Sequence, residues 1–315
     1  MSRSVLVGAF RWVGIALGVI ILALALLIAY WFIRPNRAYV ADALDMETWV
    51  VVGDGRHNSN TDLIYWRDAF YLVHASAPWH FASEDTRLVV WRSEDAHTWE
   101  KLTELSGAGE DIRDPKFAVI GDRLFMYALK NTVFTAEPYL TVLSTSQDGR
   151  SWAPFEEVQP EGWLFWRPKT LDGETWYVPA YWHEHGRSIL LRSTDGENWS
   201  IVTAIYEGER NDEVAIEFLP DGRMLCTARL EGSGSYFGDS AATTLIGVAS
   251  PPYVEWTFVK SGVTRLDGPT LFSYNGQVYA AGRYQPDPRW GPVQLGSIFS
   301  RKRTSLFLVE PEALT

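Results

Sequence analysis

Three carboxylates and four guanidinium groups hold corresponding places along this 315-residue chain: Asp62, Asp114 and Glu213, with Arg113, Arg167, Arg229 and Arg283. Asp62, Asp114 and Glu213 open short apolar runs, as in Arg113-Asp114-Pro115-Lys116-Phe117-Ala118-Val119 and Glu213-Val214-Ala215-Ile216. Arg229 and Arg283 close the apolar runs that follow the next tight turn. An isolated acid is merely solvated. Converging acids shift one another's pKa and can divide acid and base work between them. Guanidinium groups grip a carboxylate through two parallel hydrogen bonds, which lysine cannot imitate. The chemistry therefore depends on elements that gather these residues.

A repeat supplies such elements. Ser93-Glu94-Asp95-Ala96-His97-Thr98-Trp99 recurs as Ser146-Gln147-Asp148-Gly149-Arg150-Ser151-Trp152 and as Ser193-Thr194-Asp195-Gly196-Glu197-Asn198-Trp199. The serines are 53 and 47 residues apart, and a decayed copy, Ser250 with Trp256, follows 57 later. Self-similarity at this period marks a propeller-type array. Asp-Gly between apolar runs is a tight-turn signal, and the tryptophan can lay its ring over the turn. Asp148, Asp195, Trp152 and Trp199 are accordingly read as turn-formers rather than catalysts.

Aligning these turns yields five blocks of about four strands, with hairpins expected at Gly121-Asp122, Asp172-Gly173, Asp221-Gly222 and Asn275-Gly276. The fold class is all-β: a β-propeller of five blades, with six as the alternative, preceded by one N-terminal helix. Thr48-Trp49-Val50-Val51-Val52 is expected to complete the last blade, protecting its edge. Inner strands crowd a propeller's axis, so the polar residues that open them should ring one mouth. Second strands end there too, adding His74, Lys130, His183, Arg229 and Arg283. Trp79-His80 and the loop from Gly232 to Asp239 are placed to roof that mouth. The histidines show no metal-ligand spacing, and neither metal nor cofactor is expected.

Apolar content is 46% and the net charge is −11. Residues 1–40 carry four arginines and no acid, so the remainder holds −15. So acidic a domain is a poor nucleic-acid binder. Cys226 is the only cysteine, which excludes an intrachain disulfide. Residues 12–33 form an uncharged stretch long enough to span a bilayer, with Trp12, Tyr30 and Trp31 at its ends. The expected layout is a basic tail (1–11), a transmembrane helix (12–33), a linker (34–45) and a propeller (46–315) on the extracytoplasmic side of a single-pass protein. A cleaved signal peptide is the competing reading. Oligomeric state is not legible.

The Ser-x-Asp-Gly-x-x-Trp turns resemble the Asp boxes (BNR repeats) of sialidases and their propeller relatives. The segment from Asn211-Asp212-Glu213 to Ala228-Arg229 resembles the sialidase stretch bearing an active-site glutamate and a carboxylate-binding arginine. That resemblance implies a glycoside hydrolase that binds terminal, acidic sugars of a glycoconjugate. Glu213 would then assist a tyrosine nucleophile, and Arg229 and Arg283 would clamp substrate. Arg56 and Arg113 stand in for the first arginine of that family, whose signature is absent, and Tyr236 and Tyr284 are the available tyrosines. Arg113-Asp114-Pro115 resembles instead the Arg-Asp-Pro motif of five-bladed furanosidases of the invertase and arabinanase type. On that match Asp62, Asp114 and Glu213 share catalysis, although the family glutamate belongs to blade three, where this chain has Arg167-Pro168-Lys169. A non-catalytic propeller displaying a glycan- or protein-binding surface is the third reading.

Overall fold

The computed structural model describes residues 3–33, 47–135, 137–232, 242–262, 265–284, 289–290, 293–294 and 303–314. It divides into two compact units, 1–50 and 51–315. The first holds α1 (Arg3–Ile33), whose segment Phe10–Tyr30 is 21 residues long and apolar enough to cross a membrane. At 1.5 Å per residue that segment spans roughly the ~30 Å of a hydrocarbon core.

The second unit is a five-bladed propeller. Blade one comprises β1 (His57–Trp66), β2 (Ala69–Ala77), β3 (Arg87–Ser93) and β4 (Glu100–Ser106). Blade two comprises β5 (Asp111–Ile120), β6 (Arg123–Asn131), β7 (Leu140–Ser146) and β8 (Glu156–Glu157). The inner strand of blade three is split into β9 (Trp163–Phe165) and β10 (Lys169–Thr170), beside β11 (Trp176–Trp182), β12 (Arg187–Ser193) and β13 (Ser200–Glu207). Blade four is β14 (Asn211–Phe218), β15 (Met224–Leu230), β16 (Thr243–Ala249) and β17 (Trp256–Lys260). Blade five pairs β18 (Leu266–Tyr274), β19 (Gln277–Tyr284) and, after a short ribbon of β20 (Arg289–Trp290) and β21 (Val293–Gln294), β22 (Arg303–Val309).

Residues 48–52 form no strand, so the expected closing strand is not there. Among the described residues blade five has three strands, with β22 outermost.

Period-two alternation makes each blade apolar on both faces. On β6, Leu124, Met126 and Ala128 pack toward blade one, whereas Phe125 and Tyr127 pack toward blade three. Similar layers join blades three to four, through Leu190, Ile205, Val214 and Cys226, and four to five, through Leu225, Ile246, Leu271 and Val278.

The repeated turns lie between the third and fourth strands of blades one to three and share one geometry. In the third, Asp195 accepts from the backbone N–H of Glu197 and Asn198, Ser193 Oγ accepts from Gly196, and Trp199 donates to the Gly196 carbonyl. The residue before the final three is left-handed throughout: Ala96 (φ 62°), Gly149 (73°), Gly196 (77°) and, in the decayed copy, Tyr253 (66°). A further copy, Thr170-x-Asp172-Gly173-x-x-Trp176, escaped the serine-based reading and joins β10 to β11 with the same hydroxyl and aspartate bonds but without the tryptophan one. Asp172-Gly173 and Asp221-Gly222 therefore sit in five-residue connections, not the expected two-residue hairpins, because the aspartates bond to backbone N–H groups downstream. Gly121-Asp122 and Asn275-Gly276 are two-residue turns as expected.

Candidate active site

The inner strands β1, β5, β14 and β18 are irregular at the same height. Their ladders skip between Ser59 and Asp62, Arg113 and Lys116, Asp212 and Val214, and Asp267 and Thr270. One residue in each skip adopts positive φ: Asn60 (51°), Asp114 (49°), Glu213 (23°) and Gly268 (60°). A bulge of this kind re-aims a side chain out of the pleat. Holding a non-glycine residue there costs roughly 1–3 kcal/mol, and such positions cluster at functional sites. Asp114 and Glu213 thus occupy matching bulges on blades two and four. Both remain partly exposed, while Pro115, Asp212 and Val214 beside them are buried.

Two buried groups register both acids at once. The Lys116 ammonium, whose pKa burial pushes down, is held up by the charges of Asp114 and Glu213. The Tyr181 hydroxyl is pushed far above its usual range by burial and then by Asp114, Glu213 and Asp212. Lys116 also lies over the Trp166 ring, 4.3 Å from its centroid. Asp114 accepts from the side-chain amide of Asn60.

Glu213 is tied to a dense ionic cluster. Its Oε2 accepts from Gly268 N–H at 2.7 Å and lies 3.0 Å from Arg229 Nη1. Arg229 grips the fully buried Asp212 with Nε and Nη2, at 2.6 and 2.5 Å, and lies 3.6 Å from both Asp267 and Glu231. Burial raises the Glu213 pKa to about 7; Arg229 opposes this, and the negative charges of Asp212 and Asp267 add to it. That value suits a general acid near neutrality.

The expected substrate-holding arginines each face a carboxylate. Arg113 bonds Asp111, Arg167 is paired with Asp62, Arg229 holds Asp212 and Glu213, and Arg283 lies 3.4 Å from Asp267. Glu213, Arg229, Asp267 and Arg283 therefore form one cluster. Asp62 is buried, accepting from Phe117 N–H at 2.6 Å as well as pairing with Arg167. Arg56 bonds Ser76 and the Asp85 carbonyl, on the flank of blade one. His74, expected at the mouth, instead accepts from Trp91 Nε1 and lines a cavity of about 690 Å³ on that flank, with Arg56, Asp85, Lys101 and Glu104. Lys130 pairs with Glu110. Tyr284 packs edge-on against Phe307, and Tyr236 lies outside the described residues.

The break in the inner strand of blade three sends side chains across the axis. Trp166 Nε1 donates to the Pro269 carbonyl of blade five at 2.7 Å, and Lys169 donates to the Leu271 carbonyl and to Glu217. Arg167 reaches Asp62 and the Leu63 carbonyl of blade one.

Sequence reasoning missed Asn60, Lys116, Tyr181, Asp212, His185 and Glu231. His185 presents Nδ1 to Asp212 (3.2 Å) and Glu231 (3.3 Å) and Nε2 to Glu137 (3.1 Å). Burial lowers its pKa, but these carboxylates outweigh it and raise it to about 9. His185, Asp212 and Glu231 bring ligand atoms within 4.8 Å of one another, a spacing a cation could span. Here Arg229 already occupies both Asp212 oxygens and the imidazolium faces all three acids. Positive side chains fill the place an ion would take. The signal for Asp212 lay beside Glu213; nothing in the spacing pointed to His185.

No protein-family model and no curated protein matches this sequence. Solved structures do. A protein of unknown function from Dyadobacter fermentans superposes with a TM-score of 0.62 at 14% identity, over 82% of this chain and 84% of its own. The GH32 β-fructofuranosidase of Bombyx mori gives 0.53 at 16% identity, over 79% of this chain and 59% of its own. The exo-β-1,3-galactanase of Phanerochaete chrysosporium gives 0.57 at 11%, over 81% and 61%. The last two are glycoside hydrolases. This chain spans about three fifths of their length, and at these identities the likeness is one of fold.

Proposed function

We propose that this chain is a glycoside hydrolase that works through two carboxylates, Glu213 and Asp114, on a neutral sugar. One observation carries the reading: both acids stand on matching inner-strand bulges, both bear electrostatically on the buried Lys116 and Tyr181, and they have unlike surroundings. Glu213, protonated up to about pH 7, delivers its proton to the glycosidic oxygen as the bond to the sugar carbon breaks. Asp114, held by the Asn60 amide, takes a proton from the attacking water. Arg229 restrains the rise in the Glu213 pKa and fixes its carboxylate. Asp62, buried and paired with Arg167, supports the axis rather than the reaction. The furanosidase-type resemblance supports this division better than the sialidase one. Among the described residues the tyrosine that senses Glu213 is Tyr181, whose buried hydroxyl resists ionisation.

The preference for a neutral sugar follows from the arginines. All four candidate clamps already face carboxylates, so an anionic sugar would have to displace one. Anchoring by α1 and an extracytoplasmic propeller belong to the same proposal, supported by the apolar stretch Phe10–Tyr30.

The test is turnover of aryl β-galactoside, α-arabinofuranoside and sialoside, and of sucrose, by wild type, Glu213→Gln and Asp114→Asn. Wild type is expected to cleave a neutral glycoside, and each variant to lose about 10²–10⁴-fold in rate. Unchanged rates in both variants, or turnover of the sialoside alone, would overturn the assignment.

A further inference from the structure

The loop joining β2 to β3 has a buried base and an open tip. Ala82, Ser83 and Thr86 are buried; Ser83 N–H and Thr86 Oγ1 both donate to the carboxylate of Asp111, itself fully buried. Asp111 also receives Arg113 Nε, so one side chain ties the loop to the strand that bears Asp114. A second tie lies nearer the tip, where His80 Nδ1 sits 3.1 Å from His57 Nε2 with the two rings edge to face. His57 in turn feels the charge of Arg113. Trp79 and Phe81 flank His80 on either side and project, 49% and 68% exposed.

The loop leaves the sheet at the end where β1 and β5 begin, since His57 pairs with Ala77 and Asp111 with Asn131. Two large rings are thus held in water on a loop anchored to Asp111, three residues before Asp114 on the same strand. Rigid aromatic side chains lose little conformational freedom when they bind, and their flat apolar faces match the C–H face of a pyranose or furanose ring.

We propose that Trp79 and Phe81 form a stacking platform for a sugar unit beyond the one attached at the cleaved bond. The platform makes the substrate an oligosaccharide rather than a simple glycoside, an inference that rests on the hydrolase reading.

Affinity electrophoresis through gels containing galactan, arabinan or levan tests binding apart from turnover. The full-length protein in detergent, and its Glu213→Gln variant, should be retarded by at least one polymer. Trp79→Ala/Phe81→Ala should migrate freely, and Trp79→Phe should keep partial retardation. With the matching trisaccharide, Trp79→Ala should raise KM roughly three- to tenfold while kcat, and kcat/KM for the aryl monoglycoside, stay near wild type. Retardation unchanged in the double alanine variant, or absent for wild type in all three gels, overturns the platform. Retardation lost with the two rings in a protein that cleaves nothing upholds the platform and removes the hydrolase.

Discussion

The behaviour of Glu213 is set by what surrounds one carboxylate. Burial favours its neutral form, Asp212 and Asp267 reinforce that, and Arg229 keeps the group titratable near pH 7 instead of higher. Because the proposed mechanism makes the protonated form the acid that acts, kcat/KM should fall as pH rises through about 7, and rate profiles across pH 5–9 would show this limb. An alkaline limb at pH 9 or above would assign the proton to another group. His185 titrates on the alkaline side. Its folded pKa, about 9, exceeds the ordinary histidine value of 6.5, so the stability it confers is complete below pH 6.5 and lost as pH climbs through 9. Urea midpoints measured from pH 6 to 10 should decline over that window in wild type, and His185→Gln should lose this part of the decline.

Turns that join the outer strands also join blades. Gly196 in blade three leaves room for Ile120, Phe125 and Tyr127 of blade two, and the Tyr127 hydroxyl donates to the Gly196 carbonyl at 2.6 Å. A methyl group at Gly196 would meet Ile120 and, at 2.9 Å, the Phe125 ring, on a backbone with φ of 77°. Gly196→Ala should therefore cost about 2–4 kcal/mol in urea unfolding. At Tyr253 the relation is inverted: the ring itself fills the space, against Tyr177 and Phe218. The turns were readable because serine, aspartate, glycine and tryptophan each have a fixed task at a fixed offset. The bulges were not. Asn60, Asp114 and Glu213 take left-handed backbone without glycine, so no residue type announced which side chain leaves the pleat.

At the scale of the molecule, alternation and the 47–57-residue period disclosed the array, and five blades followed from counting turns. That acids and arginines would crowd one another was also expected, and Glu213, Arg229, Asp267 and Arg283 form one such cluster. What they do to one another was not legible, since pairing depends on reach across blades: Arg167 onto Asp62, Arg229 onto Asp267, Lys169 onto Glu217. The closing strand failed for a related reason, because an apolar run does not say which edge it will meet. The apolar stretch Phe10–Tyr30 carries a prediction of its own. After an alkaline carbonate wash the full-length chain should stay in the membrane pellet with its N-terminus intact; a shortened, soluble product would mean that the stretch is a cleaved leader.

Trp166, Arg167 and Lys169 reach from blade three to blades one, four and five, so the shaft down the middle of the propeller is barred by side chains. In the proposed reaction, a molecule bound at Asp114 and Glu213 would meet these crossing side chains on its inner side. If the proposed hydrolysis holds, released sugar and fresh substrate would then share one doorway, each waiting for the other to clear it.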